Sequence, residues 1–286
     1  MIIDSHTHLF RSKIIANVAN RKELVRILSL ETQKAANRCR LDQLEQESRA
    51  AGVEACLLLP TATAKDVVSV NHRFLEYTKE NRFFLTAGTL HPHHPGNAEV
   101  LDHLASRGVR AIKLCSFSQG FSLDDAETEA LFDQIRQRPA MGKTPFCVIL
   151  DTFYKADFFF GSPEKNTTTP DRLGRLVKRF PELRFVAAHM GGLTAPFSEI
   201  LEHLPPRHNL YLDTSNAAHT LTEQEFIRML RLHGPERILF GTDWPWFGYA
   251  EEIPCIDRLL KLAGFSKLDI KRVFAGNIMN LLALSE

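Results

Sequence analysis

Residues 210–241, LYLDTSNAAHTLTEQEFIRMLRLHGPERILFG, contain in one segment the unit that recurs along the whole chain. The segment opens on an apolar run, Leu210 to Asp213, and closes on another, Ile238 to Gly241. Between them Thr222 and Glu225 make a capping box, Phe226, Met229, Leu230 and His233 share one helical face, and Gly234-Pro235 ends the helix. The order is strand, helix, strand. Neither run alternates strictly between apolar and polar residues, which suits a parallel sheet covered on both faces.

Runs of the same kind stand at Ile2-Ile3, Glu54 to Leu59, Phe83 to Thr89, Ala111 to Cys115, Phe146 to Asp151 and Arg184 to Ala188, making eight in 286 residues. Helix punctuation separates them. Thr169-Pro170 supplies a cap and a first-turn proline to a helix through Leu173, Leu176 and Val177, and Ser122 with Asp125 starts another that ends near Arg138-Pro139. Length alone, at roughly 150 residues per domain, would allow two domains. Eight strand-helix units instead predict an α/β fold of one domain over residues 1–286, a closed (β/α)8 TIM barrel. A doubly wound sheet would use fewer strands and a phosphate-binding glycine loop, and neither GxGxxG nor GxxxxGK[ST] occurs. The repeat is broken once: residues 10–40 hold a basic, helix-prone insertion, Phe10 to about Asn37, ahead of the first barrel helix expected at Leu41 to Ala51. It reads either as a cap over the barrel mouth or as an extra surface helix.

Thirty-five basic against 34 acidic side chains, a net charge of +1, leave no electrostatic footprint for nucleic acid or an anionic membrane. A chain that is 44% hydrophobic and 24% charged is an ordinary globular one. Cys39, Cys56, Cys115, Cys147 and Cys255 are odd in number and lack CxxC spacing, which reads as reduced thiols in a reducing compartment. The opening MIIDSHTH has no signal-peptide pattern, and no apolar stretch reaches the ~20 residues that cross a bilayer. The expectation is a cytoplasmic protein with a small-molecule partner, a homodimer being left open.

Active sites of such barrels lie where the strands end. The first strand ends in Asp4-Ser5-His6-Thr7-His8, and a two-residue spacing in extended backbone aims both imidazoles to one side. The sixth is followed by His189 and then Met190-Gly191-Gly192; the eighth runs through Gly241-Thr242 to Asp243. Asp4 is placed to orient a ligand histidine, because metal-bound imidazoles usually donate their other N–H to a carboxylate or carbonyl. Lys113 ends the fourth strand, and His91, His93 and His94 follow the third, with His91 nearest the strand end. Phe153, Phe158 to Phe160, Trp244, Trp246 and Phe247 follow the fifth and eighth, an aromatic set suited to a planar or apolar substrate, although core packing accounts for most phenylalanines. His72, His103 and His233 lie on helices, where surface or packing roles are the plain reading.

With IIDSHTH, GVRAIKL, FVAAHMGG, LYLDTS, ILFGTDWPW and FAGNIMNLL in that order, the chain resembles the amidohydrolase superfamily. It is most similar to the amidohydrolase-related (family 2) metal-dependent hydrolases that include aminocarboxymuconate-semialdehyde decarboxylase-like enzymes. The resemblance implies that His6 and His8 bind a metal, that Asp243 touches it and accepts the proton of an attacking water, and that His189 is a ligand or polarises the substrate. Where many members carry a metal-binding histidine after the fifth strand, this chain has Asp151. Aspartate is a competent ligand for Zn²⁺ or Mn²⁺, so either Asp151 replaces the histidine or the site binds metal weakly. Some binuclear members bridge two metals through a carboxylated lysine at the fourth strand. Cys115 follows Lys113 closely and no second donor set is evident, so charge balance or substrate binding is expected of Lys113 instead.

These readings imply one divalent cation, zinc with manganese as the alternative, held by His6, His8, Asp151, His189 and Asp243. Asp243 and His189 are the catalytic residues expected, and Lys113, His91, Phe153 and Trp244 the substrate-binding ones. The expected reaction is hydrolysis of a small ester, lactone or amide. Non-oxidative decarboxylation of an aromatic or dienoic acid, and metabolite binding without catalysis, are the alternatives.

Overall fold

A computed structural model describes residues 1–140 and 144–284. Its strands are β1 (Ile3–Thr7), β2 (Ala55–Leu58), β3 (Phe84–Thr86), β4 (Gly88–Thr89), β5 (Ala111–Leu114), β6 (Cys147–Leu150), β7 (Arg184–Ala187), β8 (Leu210–Asp213) and β9 (Ile238–Leu239). All pair in parallel with their sequence neighbours, as β1-β2-β3 and as β4 through β9. Every predicted run is therefore a strand, the third being split into β3 and β4 at Ala87, whose N–H still reaches Leu58 O at 3.0 Å. Backbone bonds join the other seam: Ser5 N donates to Phe240 O (2.9 Å), Asp243 N to His6 O (3.0 Å) and His8 N to Trp244 O (2.7 Å). The strands approach closely there. A Cβ at Gly241 would stand 2.8 Å from Cβ of His6, so the seam has this spacing only around glycine.

Strand parity carries polar residues to the site. Ala111, Cys147, Ile149 and Val186 pack in one cluster, while Ile112, Leu114, Val148, Leu150 and Phe185 pack in another with the helices. Lys113 lies two residues beyond Ala111 and Asp151 two beyond Ile149, so the same face that is apolar lower down becomes charged at the strand ends.

Helix boundaries follow the sequence signals with one exception. Thr222 caps the helix Glu223–His233 with a full capping box, and Thr169 caps Pro170–Arg179. Ser122 does not cap: the helix begins at Ala126, and Ser122 Oγ accepts the Asp124 N–H at 3.2 Å in the preceding turn. The insertion forms α1 (Ser12–Ala19), α2 (Lys22–Ile27) and α3 (Thr32–Ala35) before α4 (Leu41–Ala50). None of the first three has a side-chain cap. They are held instead by packing of Ile15, Val18, Leu24 and Leu28 against Phe153, Phe159, Leu193 and Trp246. Burial of such a side chain contributes about 1.5–3 kcal/mol. All five cysteines are free, and among the described residues no helix is long and apolar enough to cross a membrane.

Candidate metal centre

His6, His8, His189, Asp151 and Asp243 do converge at the strand ends. Donor atoms of His6, His8 and Asp243 lie within 4.8 Å of one another, as do those of His6, Asp151 and His189. His8 Nε2 is 3.0 Å from His6 Nε2 and 3.5 Å from Asp243 Oδ1, which is itself 4.0 Å from His6 Nε2. Donors on one tetrahedral zinc at 2.0–2.2 Å stand about 3.4 Å apart, so these spacings bracket a shared ion.

Tautomers decide which nitrogens face the centre. His6 Nδ1 meets Asp213 Oδ2 at 2.8 Å, and His8 Nδ1 meets Leu59 O at 3.1 Å. His189 Nδ1 meets Ser215 O at 2.9 Å. A carbonyl, or a carboxylate held well below its usual range as Asp213 is, can only accept, so each Nδ1 carries the hydrogen. The Nε2 atoms of neutral His6 and His8 then confront each other as two lone pairs with no proton between them. A cation satisfies both, and the donor set fits a divalent metal.

Electrostatics divide the histidines. Burial, reinforced by Lys113, lowers His6 to about 4, and burial with His6 lowers His8 well below its ordinary value. Both stay neutral at pH 7, as ligands must. Burial would lower His189 too, but Asp151, whose Oδ1 is 3.5 Å from Nε2, together with Asp243 and Asp213 raises it to about 9. Asp151 is held low despite its burial by Lys113, 3.3 Å away, and by His189. Asp243 is the reverse case: burial, with Asp151 adding to it, pushes its carboxyl up to about 8. Three turns at this rim also adopt left-handed backbone at non-glycine residues, His189 (φ 56), Asn216 (φ 55) and Asp243 (φ 64). Such conformations cost of order 1–3 kcal/mol each and cluster where function fixes side chains.

The donors border a cavity of about 680 Å³. His8, Asp151, His189 and Asp243 face it, as do Phe153, Phe160, Trp246 and residues of α1 and α2. Phe10 stacks on the His8 ring at 4.7 Å and leans on Trp246 at 5.5 Å. Lys113 is fully buried against Asp151 rather than facing the cavity, and its Nζ has no hydrogen-bond partner.

Like Lys113, two further expected substrate contacts do not line the cavity. Trp244 is fully buried among Leu44, Cys56, Phe74 and Tyr249, because the turn at Asp243 sends the next side chain inward, and Trp246 faces the cavity instead. Both ring nitrogens of His91 are taken by backbone groups, Nε2 by Gln119 O of the next strand-end helix (2.9 Å) and Nδ1 by the His93 N–H, which it accepts (3.2 Å). Asp4 does not touch an imidazole either. Its carboxyl accepts the His6 N–H (3.0 Å), the Thr242 N–H (3.1 Å) and the Thr242 hydroxyl (2.5 Å), tying the backbone of one ligand strand to that of the other. The residue that orients histidines is Asp213, which accepts from His6 Nδ1, from the backbone N–H of His189 at 2.9 Å and from the Ser215 hydroxyl. Its signal was the polar end of LYLDTS. Asn166 and Asn216 also line the cavity, each with a buried Oδ1 lacking a partner. His233 is a buried packing residue, whereas His72 and His103 are exposed.

The fold is a TIM barrel, and the histidines and carboxylates gathered at its mouth form a candidate metal centre. The family model for amidohydrolases matches residues 3–284, and the chain belongs to this amidohydrolase-2 family of enzymes. No curated protein matches it. Among solved structures it is similar to an uncharacterized TIM-barrel protein from Bordetella bronchiseptica, with TM-score 0.74 and 20% identity over 99% of this chain and 98% of that one. It is similar to an amidohydrolase from Burkholderia multivorans with bound zinc, with TM-score 0.71 and 16% identity over 100% of both chains. A dihydroxybenzoic acid decarboxylase from Polaromonas with bound manganese and the inhibitor 2-nitroresorcinol has TM-score 0.68 and 17% identity, over 100% of this chain and 97% of that one.

Proposed function

We propose that the protein is a metal-dependent hydrolase that uses one divalent cation, zinc or manganese, to cleave an ester, lactone or amide. The observation that carries this reading is the confrontation of His6 Nε2 and His8 Nε2 at 3.0 Å, with both Nδ1 hydrogens committed elsewhere. His6, His8 and Asp243 would hold the cation, with Asp151 as a further ligand or as the counter-charge of Lys113. A cation bound there supplies Lewis acidity, polarising a carbonyl and lowering the pKa of water from 15.7 towards about 7.

The chain's own residues move the protons. Asp243, buried and at the edge of the cavity, takes the proton of the attacking water and returns it to the leaving group. His189 keeps a proton on Nε2 through Asp151 and faces the developing oxyanion. Two neutral histidines beside a protonated one separate ligand from acid by environment alone. Phe10 and Trp246 shield the His8 side from water.

Decarboxylation is the second reading, favoured by the positive charge of Lys113, which lies buried behind Asp151 and acts on the donor cluster through its field, a field that suits an anionic substrate. The decarboxylase named above makes it a chemistry known on this fold. The metal-loaded enzyme is assayed on esters, lactones and amides and, in parallel, on aromatic acids with carbon dioxide measured. Hydrolysis without carbon dioxide release is expected, and the converse replaces the first reading by the second. Asp243→Asn should lower turnover by about a thousandfold, within the ~10²–10⁴ of general acid-base catalysis. An active, metal-loaded Asp243→Asn enzyme removes the proposed role.

A further inference from the structure

The metal donors make only one wall of the cavity at the barrel mouth. Its volume of about 680 Å³ falls within the ~300–1,000 Å³ of sites that enclose whole drug-sized molecules. A carbonyl and its immediate neighbours occupy a small part of that. Apolar side chains make much of the rest, Ile14, Val18, Leu24 and Leu28 from the insertion with Phe117 and Phe160 from barrel loops, while the neutral amides of Asn17, Asn166 and Asn216 interrupt them. Val18, Leu24 and Leu28 are buried and belong to the hydrophobic cluster that joins the insertion to the barrel, so packing from behind holds this wall in place. Among the described lining residues Lys13 is the one lysine and there is no arginine, and Lys13 is exposed to water. Nothing buried on the insertion side of the cavity would therefore compensate a second charged group on the ligand.

We infer that the substrate carries a large apolar body, a medium-length acyl chain or an aryl group, which lies against the insertion while its carbonyl meets the metal centre. The inference rests on the metal-dependent reading above and narrows its substrate class: the compound is not a small one, and residues 14–28 select it.

Straight-chain hydroxamates separate the two parts of the claim, because the hydroxamate head chelates a metal while the tail samples the cavity. Zinc-loaded protein is titrated calorimetrically with acetohydroxamate, hexanohydroxamate and octanohydroxamate. A fully buried methylene is worth roughly fourfold in affinity, so the dissociation constant should fall by at least about a hundredfold from the two-carbon to the eight-carbon probe. Leu28→Trp and Ile14→Trp, which place bulk on the apolar wall, should compress that ratio to below about tenfold. Ile14 is 45% exposed, so its variant keeps the test valid if Leu28→Trp misfolds. Equal affinity for all three probes, within about threefold, overturns the apolar-body inference and leaves the metal reading standing. Failure of every hydroxamate to bind, with no zinc retained, overturns the metal reading itself.

Discussion

The donor cluster and the helical insertion that faces it are built by opposite means. At the strand ends, Asp213 alone engages His6, the backbone of His189 and the Ser215 hydroxyl, and left-handed turns fix His189 and Asp243. Polar bonds with strict directions set the geometry. The insertion has three helices without side-chain caps and depends on Ile15, Val18, Leu24 and Leu28 packed against aromatic loops. Non-directional burial sets its shape. Chemistry that needs atoms placed to a fraction of an ångström sits on the first kind of structure, and a surface that discriminates by size and polarity can be made from the second.

The sharpest way to break this contrast is to damage the insertion and read the centre. Ile15→Ala, a buried residue that does not face the cavity, should cost about 2–4 kcal/mol, seen as a lower urea midpoint. Zinc affinity should stay within about twofold. A parallel collapse of zinc affinity would show that the two regions are one cooperative device.

The converse probe is pH. A cation must displace the proton of Asp243, whose carboxyl is raised to about 8, while His6 and His8 carry none at neutral pH. Zinc affinity should therefore rise about tenfold per pH unit below ~8 and level off above it, roughly a hundredfold gain from pH 6 upward, measured by competition with a chelator. If His189, raised to about 9, joins His6, His8 and Asp243 as a fourth ligand, the slope approaches two protons instead of one. Octanohydroxamate's advantage over acetohydroxamate, an insertion property, should not follow that slope. The smallest of the three effects is expected for Asp213→Asn, which loses the acceptor that fixes His6 Nδ1–H. Zinc affinity should fall ten- to a hundredfold, the usual cost of an outer partner, with the urea midpoint reporting whether the fold survives. Unchanged affinity would mean Ser215 and the backbone suffice to orient the ring.

Much of this was legible in the chain. Continuous apolar runs and helix punctuation gave all the strands, because strand burial and capping are local properties. The two-residue spacing of His6 and His8 and the position of Asp243 after a strand pointed to residues that do come together, because strand parity and barrel direction are simple rules. Trp244 and Trp246 show where such rules stop. Both follow Asp243, but the turn there decides which ring enters the core and which faces the cavity, and that depends on a backbone conformation no residue type announces. Asp213 was hidden for another reason: its partners are 24 and 207 residues away, so its work exists only after the barrel closes. His91 lay at the right strand end, but the His93 amide of its own loop and the Gln119 carbonyl of the neighbouring one claimed its ring first.

Gly241 adds a constraint from what it lacks. Any side chain there would act as a wedge, its first carbon only 2.8 Å from that of His6, and would prise the strand bearing His6 and His8 away from the one leading to Asp243. The spacing between the candidate donors of these two strands is thus gauged by a single hydrogen atom, and a change at 241 would be felt first at that spacing.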